Sequence, residues 1–273
     1  LPFPAEWILE HPGKVEDVIT KLSVEDQIWC AMQLRGPKMQ DFINLSPNSR
    51  SVIRGLPPEE LYQMIKETGI GESLPVIAMM SQNQLQYSFD LEWWRKDRFV
   101  PECALEWIEF LDQCDGSSIF EWLQNDDFDQ KVVLFQSLIK VYKDDEMTNS
   151  YEGIEGMPHL NIDGVYDIYF KTDEHGALKR LFTLLQYKDQ ALYRSLLEAV
   201  IWYPVTQTVE KAYNWHLTRT AERGIPGFEE AVGVYSHLSP EALNLPLPKL
   251  EDFAYPGEFN IAPTYPLSLS ESV

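Results

Sequence analysis

Between Leu56 and Lys140 one helical unit is written twice, and a chain that repeats such a unit folds by stacking its copies. The first copy opens with Leu56-Pro57-Pro58-Glu59-Glu60-Leu61 and an apolar-periodic helix, passes through Gly71-Glu72-Ser73-Leu74 into a short helix, and starts a third at Ser81. The second opens with Val100-Pro101-Glu102 and a helix to Cys114, passes through Gly116-Ser117-Ser118-Ile119, and starts its third helix at Asp126. The offset between them is 44 to 45 residues, and they agree in Pro position, Gly position and helix order more than in side-chain identity. Each unit has an apolar face that it cannot bury alone, so neighbouring units supply the core. Stacked helices offer surfaces to partners. Binding is therefore the expected role, and catalysis needs evidence of its own.

The same local grammar marks helix starts beyond the pair. Leu22-Ser23-Val24-Glu25, Leu45-Ser46-Pro47-Asn48, Leu56-Pro57-Pro58-Glu59 and Met80-Ser81-Gln82-Asn83 each place an apolar residue, then a cap or Pro, then a polar first turn. Alternate starts are 34 and 35 residues apart, close to the period of a helical-hairpin array, although the tetratricopeptide signature is missing. Before them, Leu1 to Pro12 reads as a Pro-punctuated arm docked through Trp7. After them, Tyr142 to Gly156 is polar and predicts a boundary loop. Two alternating β-prone runs over 159–170 are joined by Asp163-Gly164, which predicts a hairpin lying on the helices or on another chain. Helix returns from Asp173, and Pro204 divides the long stretch 189–224 into two. One more helix covers Phe228 to Tyr235, the cap grammar recurs at Leu238, and a Pro-rich extended tail runs from Leu245.

The predicted fold is therefore all-α: a superhelical array of short helices over 1–145, a second helical unit over 146–240 carrying one small β-hairpin, and a tail over 241–273. Its charge narrows the partners. With 22 Lys and Arg against 43 Asp and Glu, the net of -21 argues against nucleic acid and anionic membrane, and favours basic proteins or, weakly, divalent cations. The acidity peaks in the second copy, where Glu102 to Glu146 holds 12 acidic and 3 basic residues. No apolar run nears the roughly 18 residues of a membrane helix. Cys30, Cys103 and Cys114 have neither metal nor redox spacing and read as free thiols, so a cytoplasmic location is expected. The chain opens at Leu1 with no signal-like segment, as a trimmed piece would.

No phosphate loop, zinc-protease motif, nucleophile elbow or cysteine metal pair is present, and no cofactor is expected. The run Asp126-Asp127-Phe128-Asp129 lacks the ligand pattern of a calcium loop and reads as a helix cap. Two residues are catalytic candidates. Glu198 lies inside an apolar helix, with Tyr213, His216, Arg219 and Arg223 of the next helix as its expected partners, and Glu198 with His216 is the acid/base pair to test. Structural pairing of Glu198 is the blander alternative. For contact with partners the candidates are Trp93, Trp94 and Arg95, the acidic face Glu102, Glu106, Glu109 and Asp112, and Tyr255 and Phe259 of the tail. Adjacent Trp residues on a helix point about 100° apart, so one of the two tryptophans at most should be fully core.

Three groups of residues carry a family resemblance: Leu61 to Glu67 with Ala78 to Trp94, the hairpin Ile162 to Tyr166, and Tyr193 to Val200 followed by Phe228-Glu229-Glu230-Ala231. They resemble an uncharacterised, deltaproteobacterial-type family of helical proteins, a domain of unknown function. The resemblance spans about Val15 to Pro240, rests on packing motifs, and implies a fold without an activity. The Leu-Pro-Pro-Glu-Glu grammar is also locally similar to the helical repeats of magnesium-transporter regulatory domains and flagellar-motor switch proteins. Together these features point to a non-catalytic protein-binding or scaffold subunit of a bacterial cytoplasmic assembly. The alternative is a metal-dependent regulator or enzyme using Glu198 and His216, or the acidic second copy.

Overall fold

The structure, a computed structural model, describes residues 1–114, 117–125, 127–143 and 153–236. Helices α1 (Trp7–Glu10), α2 (Pro12–Ile19), α3 (Val24–Ala31), α4 (Gly36–Leu45) and α5 (Ser49–Gly55) lead into the doubled unit. Its first copy is α6 (Pro58–Thr68), α7 (Leu74–Ile77) and α8 (Gln82–Glu92). Its second copy is α9 (Pro101–Gln113), α10 (Ser117–Leu123) and α11 (Phe128–Leu138). The repeat in helix order is present, and the fold is mostly helical with two small antiparallel sheets.

The helix starts follow from local chemistry. Pro58 and Pro101 occupy the first turns of α6 and α9, where a missing amide costs nothing. Ser81 accepts from the Gln84 amide while the Ser81 amide donates to Gln84 Oε1, a reciprocal box at the head of α8. Ser23 caps α3, and Asp127 caps α11 by accepting from the Gln130 amide, the role expected of the acidic run. At the join between the copies the core is aromatic. Phe89 and Trp93 stack with centroids 3.9 Å apart, and Trp122 meets them edge-on at 5.1 and 5.4 Å. The Ser118 hydroxyl donates to the Ala78 carbonyl at 2.9 Å, fixing α10 against the end of α7.

Two expectations are corrected here. Trp93 and Trp94 are both buried, because α8 ends at Glu92 and they no longer share a helix. Trp94 opens strand β1 (Trp94–Arg95), which pairs with β2 (Arg98–Phe99) around a tight turn where Lys96 has φ 59°. Likewise the last helix of the second copy stops at Leu138, and the chain runs on as strand β3 (Ile139–Lys143). That strand pairs with β5 (Tyr166–Phe170), whose other edge takes β4 (His159–Asn161). The expected hairpin thus exists inside a three-stranded sheet. It turns at Asp163-Gly164, where Gly164 has φ 73° and Asp163 Oδ1 accepts from the Val165 and Tyr166 amides. A lone hairpin is marginal in water, and β3 makes β5 central, burying Tyr166, Ile168 and Phe170 on one face.

Pro204 divides the following helices as expected, into α13 (Gln190–Trp202) and α14 (Val205–Glu222), after α12 (Gly176–Lys188). Helix α14 lies along α11, and α13 packs on α11, α12 and β3. Residues Leu1 to Gly227 form one compact unit, and a second begins at Phe228 with α15 (Phe228–Tyr235). The expected boundary near 145, the helix start at Leu238, and Tyr255 and Phe259 of the tail lie outside the described residues. No described helix is long and apolar enough to cross a membrane.

Candidate functional site

Glu198 and His216 sit in separate polar clusters. Glu198, on α13, faces the sheet, so none of its expected partners on α14 reaches it. Its Oε1 accepts from Lys143 Nζ at 2.7 Å and from the Tyr166 hydroxyl at 2.5 Å, and its Oε2 accepts from Trp202 Nε1 at 2.9 Å. The Lys143 bond, then the Tyr166 bond, holds the Glu198 carboxyl below the usual carboxylate range against the opposing effect of burial. Burial and donation to Glu198 push the Tyr166 hydroxyl up to about 12. A carboxylate engaged by three donors is a poor general base. Its stabilisation has a definite pH window. A group whose pKa falls on folding contributes fully above its unfolded value and loses that contribution as pH drops through the folded one. Glu198→Gln should cost about 1 kcal/mol at pH 7, a small value because the side chain is 34% exposed and screened. In urea unfolding at pH 7 and pH 3, the gap between variant and wild type should close at the acid end.

His216 lies on α14 with its ring stacked on Trp94 at 5.2 Å. Its Nδ1 is buried without a hydrogen bond, 3.6 Å from Asp90 Oδ1. Asp90 belongs to a network that sequence spacing does not reveal. Arg219 donates to it twice, from Nε at 2.8 Å and Nη2 at 2.7 Å, and sends Nη1 to Asp127 Oδ2 at 2.5 Å. Gln86 Nε2 donates to Asp90 Oδ1 at 3.1 Å and to Gln130 Oε1 at 2.7 Å, and Trp122 Nε1 donates to Gln86 Oε1 at 2.8 Å. One guanidinium therefore joins α8, α14 and the head of α11. Arg223, another expected partner of Glu198, instead pairs with Glu59 and Asn83, and Tyr213 lies against the Trp94 and His216 rings. These groups hold helices together.

Open space lies between α9, α10 and α12. A cleft of about 310 Å³ is lined by Ile108, Ile119, Ala177, Leu181, Leu184 and the pair Asp112 with Arg180. A second, of about 370 Å³, shares Arg180 and Leu184 and reaches Tyr187, which is 86% exposed. Arg180 grips Asp112 through Nε, at 2.9 Å from each carboxylate oxygen, and through Nη2. On α12 the stripe Leu178, Leu181, Phe182 and Leu185 is buried, and Leu184 and Tyr187 fall off it. That misplacement of apolar residues is the signal by which the sequence could have marked the cleft.

Of the acidic face of α9, Asp112 lines this cleft. Glu102 and Glu106 are exposed, and Glu109 and Asp112 are half-exposed. Burial, then crowding by Glu174, Glu106 and Asp112, holds the Glu109 carboxyl above its ordinary range. Arg95 is exposed and donates to the carbonyls of Glu92 and Trp94, while Trp93 and Trp94 beneath it are core. Among the described residues no group of three or more His, Cys, Asp or Glu side chains is placed to hold a metal ion. Cys30, Cys103 and Cys114 form no disulfide, and the Cys114 thiol donates to the Leu74 carbonyl oxygen at 3.4 Å.

Comparison with known proteins returns a family and no activity. No curated protein and no solved structure matches the chain. A family of unknown function matches residues 16–272, in line with the resemblance carried by the packing motifs. With nearly its whole length matched, the chain belongs to that family of unknown function (DUF6178).

Proposed function

We propose that the protein is a non-catalytic binding or scaffold subunit of a bacterial cytoplasmic assembly, and that it meets a protein partner over the cleft between α9, α10 and α12. The observation that carries this reading is the apolar floor of Ile108, Ile119, Leu181 and Leu184, rimmed by charge and ended by a Tyr187 that is 86% exposed. An aromatic anchor beside an apolar cleft with a polar rim is the anatomy of a protein contact. The rival reading, an enzyme or metal-dependent regulator using Glu198 and His216, would need those two side chains to act together. Glu198 is instead taken up by Lys143, Tyr166 and Trp202, and His216 by stacking on Trp94.

A photo-crosslinking amino acid placed at Tyr187 in the producing cell tests the proposal, with the same probe at exposed Glu16 of α2 as the control. The expected result is a discrete protein adduct from position 187 and none from position 16. No adduct at 187, or the same adducts at both positions, would overturn the proposal.

A further inference from the structure

A separate cleft opens where β2, the head of α9, α11 and the start of α14 meet, and it shares no lining residue with the two described above. Its volume is about 290 Å³, at the low end of the roughly 300–1,000 Å³ of ligand cavities. Phe99, Pro101, Val205 and Val209 supply its apolar wall, and none of the four is fully buried. Against them lies one polar side chain that the fold leaves half used. Gln136, which is 8% exposed, also lines the cleft. Its Nε2 donates to the Tyr203 carbonyl at 2.8 Å, and its Oε1 has no hydrogen-bond partner among the described residues. A buried acceptor without a donor is uncommon and costly, and here Oε1 is the end of the amide left for an incoming N–H or O–H. The lip carries both signs. Asp97 and Arg98 line the cleft, are exposed, and form no ion pair among the described residues. The head of α9 reaches the cleft through Pro101 with no side chain capping it, and an uncapped head favours negative charge.

These groups select a ligand. A purely apolar molecule would leave Gln136 Oε1 unpaired. A simple anion would meet Asp97, and a simple cation would meet Arg98. A zwitterion answers both charges, and an ammonium group has three N–H donors, enough for Asp97 and Gln136 Oε1 together. We propose that the cleft binds a small zwitterion with an apolar body, of the class of a free apolar α-amino acid. Its carboxylate lies against Arg98 and the head of α9, its ammonium against Asp97 and Gln136, and its side chain on Phe99, Val205 and Val209. The site is independent of the partner contact over the cleft between α9, α10 and α12.

The test is isothermal titration calorimetry of the full chain with L-leucine, L-methionine and L-phenylalanine, each up to about 10 mM, a range that covers millimolar affinities. At least one should bind. Its N-acetyl form, which lacks the ammonium, and its amide, which lacks the carboxylate, should each bind about tenfold more weakly or less, the loss of one charged hydrogen bond. Arg98→Gln and Asp97→Asn fall on exposed positions of the chain, so these variants should melt as the wild type does and still lose about tenfold in affinity. Gln136→Met removes the acceptor and should weaken binding likewise, while its loss of the Tyr203 bond is read separately in the melting temperature of the unliganded chain. Val209→Phe, which fills the apolar wall, should abolish binding, and Glu16→Gln on exposed α2 should leave it unchanged. Failure of all three amino acids to bind would overturn the proposal. So would equal binding of the acetylated or amidated form, or full binding by Arg98→Gln, Asp97→Asn and Val209→Phe.

Discussion

Replacing Asp90 with Ala should destabilise the protein by about 3 kcal/mol, at the lower end of the roughly 3–5 kcal/mol cost of removing one member of a buried ion pair. Asp90 is 4% exposed and accepts from Arg219 Nε and Nη2 and from Gln86 Nε2. Without it, Arg219 keeps Asp127 Oδ2 and Gln130 Oε1 as acceptors, which is why the lower end of the range applies. The loss falls on the docking of α14, so amide exchange should quicken in α14 ahead of α6. Urea unfolding measures the total. The paired variant Asp90→Leu with Arg219→Met should cost less than the sum of the two single changes, because neither charge is left buried alone. A loss below about 1 kcal/mol for Asp90→Ala would mean that Asp127 alone holds α14, and that the Asp90 pair adds little beyond a surface contact.

This network also marks how far a sequence can be read. Helix starts are written within four residues: Ser81 with Gln84, Pro58, Pro101, and Asp127 with the Gln130 amide all act where they stand. The hairpin turn is equally local, because Asp163 supplies the acceptor and Gly164 the left-handed backbone. Asp90 and Arg219 are 129 residues apart, and nothing in either neighbourhood names the other. Glu198 shows the same limit from the opposite side. Its place inside an apolar helix was legible, but its partners were set by which face of α13 meets the sheet, and Lys143 ends a strand where the sequence reads as helix to Lys140 and as a polar boundary loop from Tyr142.

The cleft lay between these extremes. Leu184 and Tyr187 sit off the apolar stripe of α12, a local sign, but only the packing of α12 on α9 and α10 turns that sign into a groove. The acidic face of α9 was visible in full. Its relation to an apolar floor was not, since Ile119 and Leu181 come from other elements. Charge patterns and caps are one-dimensional properties. A binding surface assembled from three helices is not.

Trp122 joins the packing of the two copies to the polar network, and its loss should be the largest single effect in the core. Its ring is 0% exposed, edge-on to Phe89 and Trp93, and its Nε1 donates to Gln86, which in turn donates to Asp90 and Gln130. Trp122→Ala empties a side-chain volume against two stacked rings and should cost about 3–5 kcal/mol. Trp122→Phe keeps most of the apolar contact and removes the donor, leaving Gln86 Oε1 without its partner, for about 1–3 kcal/mol. The ratio of the two costs reports which contribution dominates. If Phe recovers most of the loss seen with Ala, aromatic filling between the copies is the main role. If Phe is nearly as damaging as Ala, the bond to Gln86 is what aligns Asp90 for Arg219, and Trp122→Phe combined with Asp90→Ala should then cost well under the sum of the two. Equal and additive costs would leave the core and the network as independent supports of α8.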